Sequence, residues 1–129
     1  MTLTITSKEG QSGVVAVVPV GSLDSNTSTA LEDRLALIRK GNPRAILFDL
    51  KDLTYISSAG VRVFVGLRKA MKMSGGTVAF ANLQPQIRKV FDIIQALPSM
   101  NVFESVEELD QYLAKMQRNV QAGENEEPR

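Results

Sequence analysis

At 129 residues, with 15 basic against 14 acidic side chains and 43% hydrophobic residues, the chain has the size and balance of one ordinary globular domain. It has no cysteine and no histidine, which excludes disulfides, thiolate or imidazole zinc sites, cysteine nucleophiles and any Ser-His-Asp triad. A net charge of +1 and an aromatic content of 5% offer neither the field nor the stacking surface of a nucleic-acid binder, and no run of about 18 apolar residues is present to cross a membrane.

Residues 3 to 8 alternate apolar with polar and predict a strand. Val14 to Val20 is a second, β-branched strand ended by Pro19 and Gly21, and Gly10 to Gly13 between them is a hairpin turn. Asp24, Ser25, Asn26 and Thr27 are short hydrogen-bonding residues suited to capping a helix start. With Ala30, Leu31, Leu35 and Ile38 behind them, they predict a helix over roughly 26–40. Gly41-Asn42-Pro43 stops it, with Gly41 expected in the left-handed cap conformation.

Ala45 to Leu50 is a short, nearly continuous apolar run of the kind found in a strand covered on both faces, and it is the expected central strand. A loop with Tyr55, Ile56, Ser57 and Ser58 follows. Gly60, Val63, Phe64, Leu67, Ala70 and Met71 then fall on one face of a second helix, widened by Val61 and Val65 and ended by Gly75-Gly76. Thr77 to Ala81 is another strand, and Pro85 opens a third helix with Ile87, Val90, Phe91 and Ile94 as its stripe, closing near Leu97-Pro98. Val102-Phe103 is an expected edge strand. Ser105 heads a fourth helix with Glu107 and Glu108 in its first turn and Val106, Leu109, Tyr112, Leu113 and Met116 on its face. The expected organisation is one domain over residues 1–117 and a disordered tail over 118–129, whose composition cannot bury enough to offset ordering entropy. The N-terminus carries one Lys before residue 10 and no apolar signal-peptide core, which points to cytoplasmic residence.

Catalytic constellations are missing. No phosphate loop or dinucleotide-binding glycine pattern occurs. Asp24, Asp49 and Asp52 could form an acidic magnesium cluster, but their spacing is equally that of turn and cap residues. The unusual feature is a pair of hydroxyls, Ser57 and Ser58, at the start of the second helix, followed by the small residues Ala59 and Gly60, which permit close approach of another chain. One serine suffices as an N-cap. A phosphoryl group on the other would add about −1.5 to −2 charges at a helix end that stabilises anions. A partner docked there would then have to desolvate a dianion, which costs several kcal/mol.

The segment DLKDLTYISSAGVRV, residues 49–63, resembles the signature of STAS-domain anti-sigma factor antagonists. The resemblance extends to GSLDSNTSTALEDRL at 21–35, to the Gly75-Gly76 stop and to Ala81–Phe91 before the third helix. It implies an α/β STAS fold: a mixed sheet of four to five strands with four α-helices packed mainly on one face. It also implies a non-enzymatic switch without cofactor or metal, monomeric when free. In that switch the unphosphorylated protein binds an anti-sigma factor that is a GHKL-type serine kinase. Phosphorylation at Ser58 releases it, and a PP2C-type phosphatase restores binding. Many family members carry Asp before the phosphorylated serine, whereas here that position is Ser57, which leaves Ser57 open as the competing acceptor. The implied docking surface comprises Asp24, Ser25, Asn26, Thr27, Tyr55, Ile56, Ser57, Ser58, Ala59, Gly60 and Arg62. The alternatives are a STAS scaffold or an accessory subunit of a signalling or transport complex without a phosphorylation cycle, and an enzyme or a nucleotide-binding protein acting by itself.

Overall fold

The computed structural model describes residues 2–93, 101–103 and 111. A hairpin opens the chain. Strand β1 (Leu3–Glu9) runs antiparallel to β2 (Val14–Leu23), with Leu3 opposite Gly21 and Glu9 opposite Val15. The connection is a 3₁₀ turn at Gln11–Gly13, closed by the Gly10 N–H donating to the Val14 carbonyl at 2.7 Å. Helix α1 (Ser28–Arg39), strand β3 (Ala45–Asp49), strand β4 (Leu53–Ile56), helix α2 (Ser58–Met73), strand β5 (Thr77–Ala81), helix α3 (Pro85–Ile93) and strand β6 (Asn101–Phe103) follow.

The expected mixed sheet is present. Its main path is β1-β2-β3-β5-β6, and β4 is a further strand that pairs with β2. β3 lies centrally, parallel to both β2 and β5. Its apolar run is buried on both faces because alternate residues serve two clusters. Ile46 and Phe48 join Val15, Val17, Val78 and Phe80 under the helices, while Ala45 and Leu47 join Ala79 and Ala81 on the reverse face. The helices contribute Leu31 and Leu35 from α1, Val61, Phe64, Leu67 and Met71 from α2, and Ile87 and Phe91 from α3. At the centre Phe48, Phe64, Phe80 and Phe91 make edge-on and stacked contacts at centroid distances of 4.9 to 6.1 Å.

β2 differs from expectation: it runs through Pro19 and Gly21. The Gly21 N–H donates to the Asp52 carbonyl at 3.0 Å, on the β4 side, and alternation puts the Pro19 nitrogen on that same side. Pro19 falls between the last pairing with β3, at Val17, and the first with β4, at Gly21, so no ladder hydrogen bond is lost there. Gly21, at φ 115°, carries the register shift. A side chain there would collide with the Thr2 carbonyl.

β4 itself lies in what the sequence reads as a loop. Only Leu53 and Ile56 of its four residues are buried, a pattern too short to separate strand from turn. α1 begins at Ser28 rather than 26, and Asn42, at φ 53°, rather than Gly41 takes the left-handed conformation after it. α2 ends as the glycine pair predicts. Gly76 N–H donates to the Met71 carbonyl at 2.7 Å and Gly75 N–H to the Lys72 carbonyl at 3.1 Å, with Gly75 at φ 85°. The expected edge strand is β6, parallel to β5. The fourth helix, the third helix's end near Leu97-Pro98 and the tail at 118–129 fall outside the described residues, Gln111 excepted. Among the described residues no helix is long and apolar enough to cross a membrane.

Because Gly21 combines a positive φ with a backbone collision, Gly21→Ala is expected to lower unfolding stability by about 2–4 kcal/mol in urea denaturation. Loss of less than about 0.5 kcal/mol would show that β2 does not need this bend.

Candidate functional site

The candidate residues lie in two segments about thirty positions apart in sequence, and the long strand β2 brings them together. Leu23, its last residue, pairs with Ile56, the last of β4, and the Leu23 carbonyl accepts the Ser57 N–H at 2.9 Å. The loop leaving β2 and the start of α2 therefore emerge side by side.

The first segment is a closed polar turn. Asp24 Oδ1 accepts the backbone N–H groups of Asn26 and Thr27 at 2.9 and 3.0 Å. Thr27 Oγ1 accepts the Asp24 N–H at 2.9 Å and donates to the Ser22 carbonyl at 2.9 Å. These groups therefore brace the loop, and Thr27, although at the N-cap position of α1, makes no side-chain cap. Ser25 and Asn26 are left exposed at its tip.

In the second segment the two serines have different surroundings. Ser57 is half-buried and caps α2, its Oγ accepting the Gly60 N–H at 3.4 Å. Ser58, the first helical residue, is exposed, and its hydroxyl bonds to no described residue. Tyr55 is 46% exposed, Ala59 is partly covered, and Arg62, one turn beyond Ser58, is exposed and pairs with no described residue.

Ile56 and Gly60 do not reach the surface. Ile56 is 2% exposed, and a Cβ on Gly60 would lie 2.6 Å from Leu23 Cγ and 2.9 Å from Ile56 Cγ1. The glycine thus admits close approach of β2 and β4 from within the molecule rather than of another chain from outside. Both residues set the position of the loop without offering contact area.

A polar network supports β4 from beneath. Asp49 Oδ1 accepts Asn82 Nδ2 at 3.0 Å and the Lys51 N–H at 3.1 Å, Gln84 Nε2 donates to the Lys51 carbonyl at 2.6 Å, and Gln86 Nε2 donates to the Thr54 carbonyl at 3.3 Å. Sequence reading missed Asn82, Gln84 and Gln86 as supports because two of their four acceptors are backbone carbonyls, which any residue supplies. Asp49, by charge and hydrogen bond, and then Asp52 raise the Lys51 ammonium above its ordinary range. Asp49 and Asp52 therefore serve Lys51 at 3.4 and 3.6 Å, Asp24 serves another loop, and among the described residues no three acidic groups converge on a metal position.

A mixed sheet with its described helices on one face, and a polar turn beside a helix-start serine, define a small α/β domain of sandwich type. The comparisons with known proteins specify it further. Residues 6–109 match the STAS domain family. BtrV of Bordetella bronchiseptica, named as an anti-sigma factor antagonist, is 37% identical over 82 residues, covering 63% of this chain and 70% of that one. The anti-sigma-B factor antagonist of Bacillus subtilis is 30% identical over 94 residues, covering 72% and 84%. The structure of the Bacillus cell fate determinant SpoIIAA in its phosphorylated form superposes with a TM-score of 0.66 at 21% identity, covering 84% and 99%. The chain belongs to the STAS domain family.

The division of labour between the serines can be measured. Ser57→Ala is expected to cost about 1 kcal/mol of stability through loss of the cap. Ser58→Ala should stay within about 0.5 kcal/mol of wild type. Equal losses in chemical denaturation would contradict the assignment of Ser57 as the cap.

Proposed function

We propose that the chain is an anti-sigma factor antagonist that works by partner switching in the cytoplasm. Its unphosphorylated form binds, as a monomer, an anti-sigma factor that is also a GHKL-type serine kinase, and so relieves that protein's inhibition of its target. Phosphorylation of Ser58 ends the binding, and a PP2C-type phosphatase restores it. The observation that carries this reading is the exposed, unengaged hydroxyl of Ser58 beside the braced Asp24–Thr27 turn, while the neighbouring Ser57 is occupied as a cap. The names of the curated relatives and the phosphorylated form of a structural neighbour support it.

The physics of such a switch is local. At the first turn of α2 a phosphate faces free backbone N–H groups and the positive end of the helix dipole, so the fold accommodates it. A partner seated over Ser58 has no such compensation: it must strip water from a dianion, and a penalty of about 4 kcal/mol weakens binding roughly a thousandfold. Tyr55, exposed next to this position, supplies an amphipathic contact of the kind enriched at interfaces.

Incubation with ATP and candidate GHKL kinases, with the phosphate located by mass spectrometry, is expected to label Ser58. Ser58→Ala should bind the kinase and accept no phosphate. Ser58→Asp should fold as wild type and bind at least about a hundredfold more weakly in calorimetry. Wild-type affinity of Ser58→Asp would overturn the switch, and loss of labelling in Ser57→Ala alone would move the acceptor to Ser57.

A further inference from the structure

The outer face of α2 carries more than Ser58. Over Ser58–Met73 the helix has four cations, Arg62, Arg68, Lys69 and Lys72, and no acidic residue. None of the four forms an ion pair or hydrogen bond with a described residue. In a chain whose charges nearly cancel overall, this is a concentration of one sign on one element. Helical spacing places Ser58, Arg62, Gly66, Lys69 and Met73 along a single stripe, about 22 Å from end to end, and all five are exposed.

Gly66 sits in the middle of this stripe without an internal reason. A Cβ built there meets nothing within 4 Å, so neither packing nor backbone conformation requires glycine. In a helix interior glycine is less stable than alanine, so this position gives up stability in the free protein. Gly66 also lines a groove of about 200 Å³ between α1 and α2. Leu35, Ala36 and Ala70 contribute its small and apolar walls, Arg62 and Arg39 flank it, and Glu32 is its one acidic margin.

We propose that this groove and the cationic stripe above it receive an acidic helical segment of the partner kinase, crossing α2 at Gly66 and running towards Ser58. The inference rests on the switch reading given above and extends it from one serine to a face. Charge complementarity selects the occupant: a segment bearing Asp and Glu pairs with Arg62 and Lys69, neither of which has a partner among the described residues. The bare backbone at Gly66 lets two helices approach more closely than any side chain would allow. A phosphate on Ser58, at the head of the stripe, would then act twice. It repels the acidic segment directly and cancels part of the field that steers it in.

The test uses the whole 129-residue chain and the purified kinase that labels Ser58. The double variant Arg62→Glu/Lys69→Glu is expected to weaken binding by about tenfold or more and to flatten its dependence on salt. Lys8→Glu, a single charge reversal on edge strand β1, on the sheet face opposite to Leu3 and Ile5, which pack under the helices, should leave both unchanged. Gly66→Ala is expected to raise Tm by about 2–5 °C while lowering kinase affinity, a combination that a purely structural role would not produce. Unchanged affinity in the double variant, or an equal loss from Lys8→Glu, overturns the proposal. So does a double variant that loses binding to a DNA duplex or to anionic phospholipid vesicles while keeping the kinase. If Ser58→Asp binds poorly while the stripe variants bind normally, the stripe fails and the switch stands. If Ser58→Asp binds as wild type, or the kinase does not bind the wild-type chain at all, the switch fails first.

Discussion

The hydrogen bond from the Ser57 N–H to the Leu23 carbonyl is the constraint on which the candidate surface depends. It exists because β2 is ten residues long and serves two parallel partners in turn, β3 at Val14–Val17 and β4 at Gly21–Leu23. Pro19 falls in the gap between them and Gly21 supplies the bend. Without that handover β4 would have no partner, the head of α2 would not meet the end of β2, and the Asp24–Thr27 turn would lie apart from Ser58. Gly60 completes the junction, since only a residue without Cβ lets α2 start in contact with Leu23 and Ile56.

α2 separates two tasks by face. Inward, Phe64 meets Phe48, Phe80 and Phe91 at 4.9, 5.0 and 6.1 Å, and Val61, Leu67 and Met71 fill the space around them. Aromatic pairs of this kind add about 0.5–1.5 kcal/mol each beyond the area they bury. Outward lie Ser58, Arg62, Gly66 and Lys69, none with a side-chain hydrogen bond or ion pair to a described residue. Charge can therefore be added to the outer face with little effect on the core. A binding switch needs that independence, because its two states must both be folded.

The serine pair shows the same separation at the scale of neighbouring residues. Ser57 is committed to the helix cap and is half-buried, whereas Ser58, one residue on, is exposed and its hydroxyl bonds to no described residue. A cap consumes one hydroxyl, so a second one beside it is free for other chemistry. The turn at Asp24–Thr27 differs: its sequence reads as a cluster suited to capping a helix start, and in the fold Asp24 and Thr27 bind each other and the backbone of the loop. That loop is braced by its own hydrogen bonds.

Much of the fold was legible in the amino-acid order, because burial imposes a period on it. The alternation of Leu3 to Lys8, the apolar run of Ala45 to Leu50, the stripe of α2 and its glycine stop depend on residues close together in the chain. Ser57 and Ser58 could be singled out for the same reason, as a surplus of caps at one helix start. Illegible were β4, whose four residues gain strand geometry only from β2, the course of β2 past Pro19, and the burial of Ile56 and Gly60. So was the bracing of β4 by Asn82, Gln84 and Gln86, which relies in part on backbone carbonyls. Local sequence determined which segments had a buried side. Which segments would meet, and therefore which small or apolar residues near the serines face inward, was decided by the tertiary structure, since contacts between distant segments leave no period in the chain.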